Sequence, residues 1–202
     1  MSDYDMGRSG IAYYDLDDAN YQLSTGNFQA WNSGWVYRND GVDIETNNDN
    51  SFSNGYHVGF TKQGEWMNYT LTISETAVYK MDARIAAIQA GGKFHLELDD
   101  ELITSTLTTE GSGEWNEFIS QSFTDIILDQ GLHTLKLKID GTTSFNISSL
   151  IFEKTGELSS VGFKVLAAET SIDGSLIKIS VNQNIDKSSL DTNFTNCNST
   201  TG

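Results

Sequence analysis

Glu45, Phe60, Trp115 and Asn146 are the side chains whose types and placement could do chemistry in this sequence. Phe60 closes the segment Tyr56 to Phe60, and Trp115 follows Gly111-Ser112-Gly113-Glu114. Asn146 comes shortly after the turn at Asp140-Gly141, and Glu45 precedes a loop rich in Asn, Asp and Ser. Pyranose rings carry C–H patches that stack on aromatic faces, while their hydroxyl edges need amides and carboxylates at fixed positions. Two rings, one amide and one carboxylate at loop edges are the parts of such a site. Each also has a plainer use: Phe60 as core, Trp115 as a cap on the end of the fold, Asn146 as a turn residue and Glu45 as a solvated strand end.

Bond-breaking constellations are harder to find. Glycoside hydrolysis needs two carboxylates across a sugar bond, and with 28 acidic residues almost any pair qualifies. The 3 histidines, His57, His95 and His133, sit on strand-like segments without HxxxH spacing or cysteine partners, and read as ordinary strand residues. The sequence has no GxSxG elbow, no phosphate-binding glycine loop and no plausible nucleophilic cysteine.

The elements that must position the four side chains are strands. Val42 to Glu45 and Tyr56 to Phe60 flank a polar loop with too little apolar surface to bury, which therefore stays wet as a rim. After Lys62-Gln63-Gly64, the run Glu65 to Ile73 alternates at the period of a half-buried strand, with Trp66 expected in the core. Further strand-like runs are Ile11 to Tyr14, Ala77 to Ile85, Lys93 to Leu98, Leu102 to Leu107, Ser122 to Leu128, His133 to Ile139 and Phe145 to Phe152. Their spacing, with turn signals between them, predicts an all-β sandwich. Residues 15–40 form a long irregular stretch with Tyr21, Phe28, Trp31, Trp35 and Tyr37, whose rings either pack on one another or, for Trp31 and Trp35, serve binding.

At 202 residues, 38% hydrophobic and 11% aromatic, the chain can build a real core. A formal charge of -16 from only 12 basic residues argues against nucleic acid and against an anionic membrane surface. It suits a soluble secreted protein. The single Cys197 forms no internal disulfide, no apolar run approaches a membrane span, and the first twenty residues are too polar for an export signal. Met1-Ser2 therefore reads as the start of a fragment. Proline is absent, so turns fall to Gly, Asn, Asp and Ser.

Seven stretches, YDMGRSGIAYYDLDDAN at 4–20, YRNDGVDIE at 37–45, GYHVGFTKQGEWMNYTL at 55–71, AVYKMDARIAA at 77–87, GEWNEF at 113–118, GLHTLKLKI at 131–139 and FNISSLIF at 145–152, resemble the family 6 carbohydrate-binding modules in order. The resemblance covers residues 1–153. It implies a jelly-roll sandwich of two antiparallel sheets with a cleft at one end. In that cleft Phe60 and Trp115 stack on the sugar, Asn146 binds hydroxyls and Glu45 closes the pocket. The family's first ring is usually Tyr or Trp, so Phe60 keeps the stacking face and loses the polar handle. Family members often bind a structural calcium through an acidic opening strand and an Asp near the last strand. Here Met1-Ser2 replaces that strand and Ser148 and Ser149 stand near its partner, which counts against calcium without excluding it.

Residues 154–161 read as a linker and residues 162–202 resemble the start of a bacterial immunoglobulin-like module, with strands expected at Phe163 to Ala168 and Leu176 to Val181. Two such strands cannot bury a core alone. The whole is expected to be a non-catalytic, monomeric, secreted or cell-surface bacterial module that binds a polysaccharide and targets a covalently attached enzyme. Agarose or a related galactan is the first substrate suggested by the resemblance. A fragment of a glycoside hydrolase and a structural spacer are the competing readings.

Overall fold

Alternation at period two places every second side chain on one face, and that face must be covered. The computed structural model describes residues 1–16, 37–38, 40–158, 165–171 and 177–181. Its strands are β1 (Tyr13–Tyr14), β2 (Ile44–Thr46), β3 (Tyr56–Val58), β4 (Trp66–Ile73), β5 (Ala77–Ala86), β6 (Lys93–Leu98), β7 (Glu101–Leu102), β8 (Leu107–Thr108), β9 (Ile119–Leu128), β10 (Gly131–Ile139), β11 (Asn146–Gly156), β12 (Val165–Thr170) and β13 (Ile177–Val181). A six-stranded sheet runs β1-β4-β10-β6-β7 with β8 also on β6, and a five-stranded sheet runs β2-β3-β11-β5-β9. All their pairings are antiparallel, and β4, β5 and β6, like β9, β10 and β11, alternate between the sheets. That alternation is the winding of a jelly-roll sandwich. Strands β12 and β13 form their own antiparallel pair.

Met67, Leu96, Leu137 and Ile139 face Ile44, Met81, Ile85 and Ile147 across the interior, all 3% exposed or less. Phe94 meets Phe123 edge-on at 5.9 Å and Phe145 at 5.8 Å, closing the core beneath the loops that follow β3 and β5.

Three details depart from the sequence reading. Trp66 is not core: Met67 takes the inward position on β4, and Trp66 lies on the outer face, where Lys136 Nζ stands 5.6 Å from its ring centroid. With apolar residues at both positions, alternation alone does not say which faces in. The run Leu102 to Leu107 is broken into β7 and β8 because the buried Thr104 hydroxyl, not a strand carbonyl, accepts from Leu96 N–H at 2.9 Å. Lastly, β11 continues through Gly156 into the expected linker, with Lys154 opposite Tyr79 and Gly156 opposite Val78. Its outer positions are polar because Lys154 there pairs with Glu75 and Glu157. The expected pair Trp31 and Trp35, like Tyr21 and Phe28, lies outside the described residues, while Tyr37 stacks on Tyr56 at 4.3 Å.

The β6–β7 turn is made by Asp99 and Asp100 at φ 52° and 66°, both left-handed as a tight hairpin requires. Asp99 anchors it to β10 by accepting from Thr134 N–H at 2.9 Å and by bonding His133 Nδ1 at 2.6 Å. The bond to Asp99 raises the His133 pKa above its ordinary 6.5. Thr134 N–H first and His133 second hold the Asp99 carboxyl below its ordinary 3.8. A raised His pKa gives stability that is fully present below 6.5 and lost as pH rises through the folded value. A depressed Asp pKa gives stability present above 3.8 and lost as pH falls through the folded value. The pair therefore contributes most between those limits. Urea midpoints measured at about pH 6 and about pH 8 should differ less in His133→Gln than in the parent, and molar salt should shrink the difference because Asp99 is exposed.

Candidate functional site

Beyond Val58 the chain leaves β3 through Gly59, whose N–H donates to Asp43 O at 3.0 Å. A Cβ at Gly59 would lie 2.8 Å from Asn146 Oδ1 and 3.4 Å from His57 Nε2, so only glycine lets the Asn146 amide lie this close to the backbone. Phe60 then takes the left-handed φ of 50°, unusual for a bulky residue, and its ring is 37% exposed. Thr61 holds that turn in place. Its buried hydroxyl donates to Phe145 O at 2.8 Å and accepts from Phe145 N–H at 3.0 Å, fixing the Phe60 turn to the start of β11.

Asn146 opens β11 opposite Ala86 of β5 and is 4% exposed. Its Nδ2 donates to Trp115 O at 2.7 Å, so the loop carrying the tryptophan is tied to the same amide that lies under Gly59. The base of that loop is held from Ala87, whose carbonyl accepts from Ser112 N at 2.8 Å and Gly113 N at 3.0 Å. With its main chain anchored, the Trp115 side chain remains 45% exposed. Glu45, in β2, stands directly across from His57 of β3, its side chain 31% exposed and its Oε2 3.6 Å from His57 Nε2.

The structure thus brings Glu45, Phe60, Trp115 and Asn146 to one end of the five-stranded sheet. Phe60 and Trp115 present exposed rings, Asn146 lies between their backbones, and Glu45 is half-buried beside His57. Phe60 is therefore not core, and Asn146 bonds across to the tryptophan loop, not within its own turn.

The sequence reading missed the groups that hold this constellation together. Arg84 on β5 donates to Asp49 Oδ1 and Oδ2 at 2.6 and 3.0 Å, to Phe118 O at 2.7 Å and to Ser120 Oγ at 3.1 Å. Asp49 also accepts from Ser148 Oγ at 2.8 Å. Asp49 belongs to the loop after Glu45, and Phe118 follows Trp115, so a single guanidinium fastens both rim segments to the sandwich. Its charge was visible in the strand, but its partner lies 35 residues away.

The Ser148 hydroxyl is thus committed to Asp49, and Asp49 to Arg84. Among the described residues no three of His, Cys, Asp and Glu gather as a metal cluster.

Two antiparallel sheets face to face, with two exposed rings, an amide and a carboxylate at one end, define a jelly-roll module. Residues 36–154 match the family described as carbohydrate binding module (family 6), and the chain belongs to that family. The C-terminal family 6 module of LamC, a marine laminarinase from Zobellia galactanivorans, is 23% identical over 56% of this chain and 88% of that one, with a TM-score of 0.50. A family 6 module from Clostridium cellulolyticum, solved with xylose, is 26% identical over 56% and 88% of the two chains, with a TM-score of 0.49. The clotting factor G alpha subunit of Tachypleus tridentatus is 24% identical over 124 residues, 60% of this chain but 18% of that protein, so the chain spans less than a fifth of this relative.

Arg84→Met removes one partner of a buried ion pair and strands Asp49. It should cost about 3–5 kcal/mol in urea unfolding. Replacing Phe60 separates strain from function: Phe60→Gly should be more stable than Phe60→Ala by about 1 kcal/mol, because only glycine takes the left-handed turn freely. The same urea titration reads both variants.

Proposed function

We propose that the chain binds a saccharide between Phe60 and Trp115, with Asn146 and Glu45 fixing its hydroxyls, and that it performs no bond cleavage. The observation supporting this reading is the tie from the buried Asn146 amide to Trp115 O, on an amide packed under Gly59. It holds two exposed rings on a shared polar floor, so the rings need little ordering when a ligand arrives. C–H patches of a pyranose would cover the ring faces, and the carboxylate and amide oxygens would accept hydroxyl protons. A Phe at position 60 supplies stacking and no hydrogen bond, which leaves selectivity to Trp115, Asn146 and Glu45. Few polar contacts at an open lip give an affinity on the order of micromolar to millimolar, raised when the module is tethered to an enzyme acting on the same polymer.

Agarose or a related galactan is the proposed polymer, in a secreted or cell-surface bacterial protein where the module keeps an attached polysaccharide-degrading enzyme on its substrate. Laminarin belongs in the test because one of the structural relatives is a module of a laminarinase. Affinity electrophoresis in gels containing agarose, laminarin or xylan should show retardation of the parent by one polymer. Trp115→Ala should lose at least about tenfold in affinity, about 1.4 kcal/mol, while its urea midpoint stays unchanged because its anchoring carbonyl is retained. No retardation in any gel, supported by a blank glycan array, would favour the spacer reading, and release of reducing ends would favour the hydrolase fragment.

A further inference from the structure

We infer that His57 is a positioning residue of the saccharide site, acting through the Glu45 carboxylate and not on the sugar. The inference rests on the reading of the cleft just given. His57 is fully buried, with its ring 5.3 Å from that of Phe118 at 59°. A Cβ placed on Gly59 would be 3.4 Å from its Nε2. Neither ring nitrogen has a hydrogen-bond partner, and among the described residues His57 alone has two such buried, unmet side-chain atoms. A neutral imidazole always carries one N–H donor and one acceptor, so an interior site that meets neither is unfavourable and calls for a cause.

The cause lies across the strand pair. Antiparallel register sets Glu45 opposite His57, and Glu45 Oε2 stops 3.6 Å from Nε2, just beyond hydrogen-bond range. Glu45 is still partly in water, which competes for its oxygens. A sugar hydroxyl donating to one carboxylate oxygen expels that water and turns the group. The other oxygen then closes on His57 Nε2–H. The buried donor is met only when the ligand is present, so part of the binding free energy comes from a bond the sugar never touches. Asn146 Oδ1, packed at the same Gly59 surface, limits how far the imidazole can turn away.

Two measurements test this, using hexasaccharides of the agarose, laminarin and xylan series as probes. In the parent labelled with ¹⁵N at histidine, saturation with the bound hexasaccharide should move the His57 Nε2 resonance to that of a hydrogen-bonded N–H. In calorimetry His57→Phe should bind about tenfold more weakly, and His57→Gln, which returns an N–H to the Nε2 position, should recover most of the loss. In a Glu45→Gln background His57→Phe should add little, since its effect passes through the carboxylate. An unchanged Nε2 resonance, or a His57→Phe loss as large in the Glu45→Gln background as in the parent, overturns the inference and leaves the saccharide site standing. If the parent binds none of the three probes and no glycan on the array, the saccharide site itself fails and this inference falls with it. Should His57→Phe not fold, the resonance in the parent decides alone.

Discussion

The pairing of Arg84 with Asp49 is the constraint on which the rest of the cleft depends. The rim loop after β2 is nearly devoid of apolar side chains and has no hydrophobic reason to stay in place. It is held by polar anchors: Asn47 Oδ1 accepts from Asp49 N–H at 2.9 Å and from the Ser53 hydroxyl at 3.0 Å, while Asp49 receives both edges of a guanidinium. Arg84 also reaches Phe118 O and Ser120 Oγ, so the segment after Trp115 shares the same anchor. A lysine could supply the charge but not the planar fork that serves four acceptors at once. Side chains that are 11% and 7% exposed would be costly as unpaired ions, so loss of either partner loosens both walls of the cleft together.

Rigidity is concentrated around Gly59 and Asn146. The missing Cβ lets an amide lie beneath the backbone, that amide holds the tryptophan loop, and Thr61 closes the turn with a reciprocal pair of bonds to Phe145. The left-handed Phe60 sits inside this lock, where the surroundings over-determine a backbone angle that Phe would not choose. The exposed rings of Phe60 and Trp115 are thus carried on loops tied down by main-chain and amide bonds.

Much of the sandwich was legible in the sequence because alternation and turn residues are local signals. Lys93 to Leu98 and His133 to Ile139 read as strands and are strands, β6 and within β10. Local patterns do not say which of two apolar neighbours faces inward, and so Trp66 was placed inside when Met67 is. They do not reveal where a solvated strand ends, because the outer positions of β11 are as polar as a linker. Of the cleft, the four side chains at loop edges could be named from their types and from the family resemblance, and the fold gathers them at one end. Arg84, Asp49 and His57 could not be assigned, since each acquires meaning only from a partner brought close by sheet pairing.

Strand β11 joins two ends of the molecule in a single run of 11 residues, from the amide at Asn146 to the exit at Gly156. At about 3.3 Å per residue that is about 35 Å of backbone, paired with β5 along its length with shifts of register after Ile147 and Lys154, and with β3 at Ile147. Tension on whatever follows Gly156 would enter the strand at its tail and be borne lengthwise, in shear, by the ladder to β5, not by unzipping bonds one at a time. Load applied behind Gly156 is therefore carried along the strand towards Asn146 instead of across the bonds that hold the Trp115 loop.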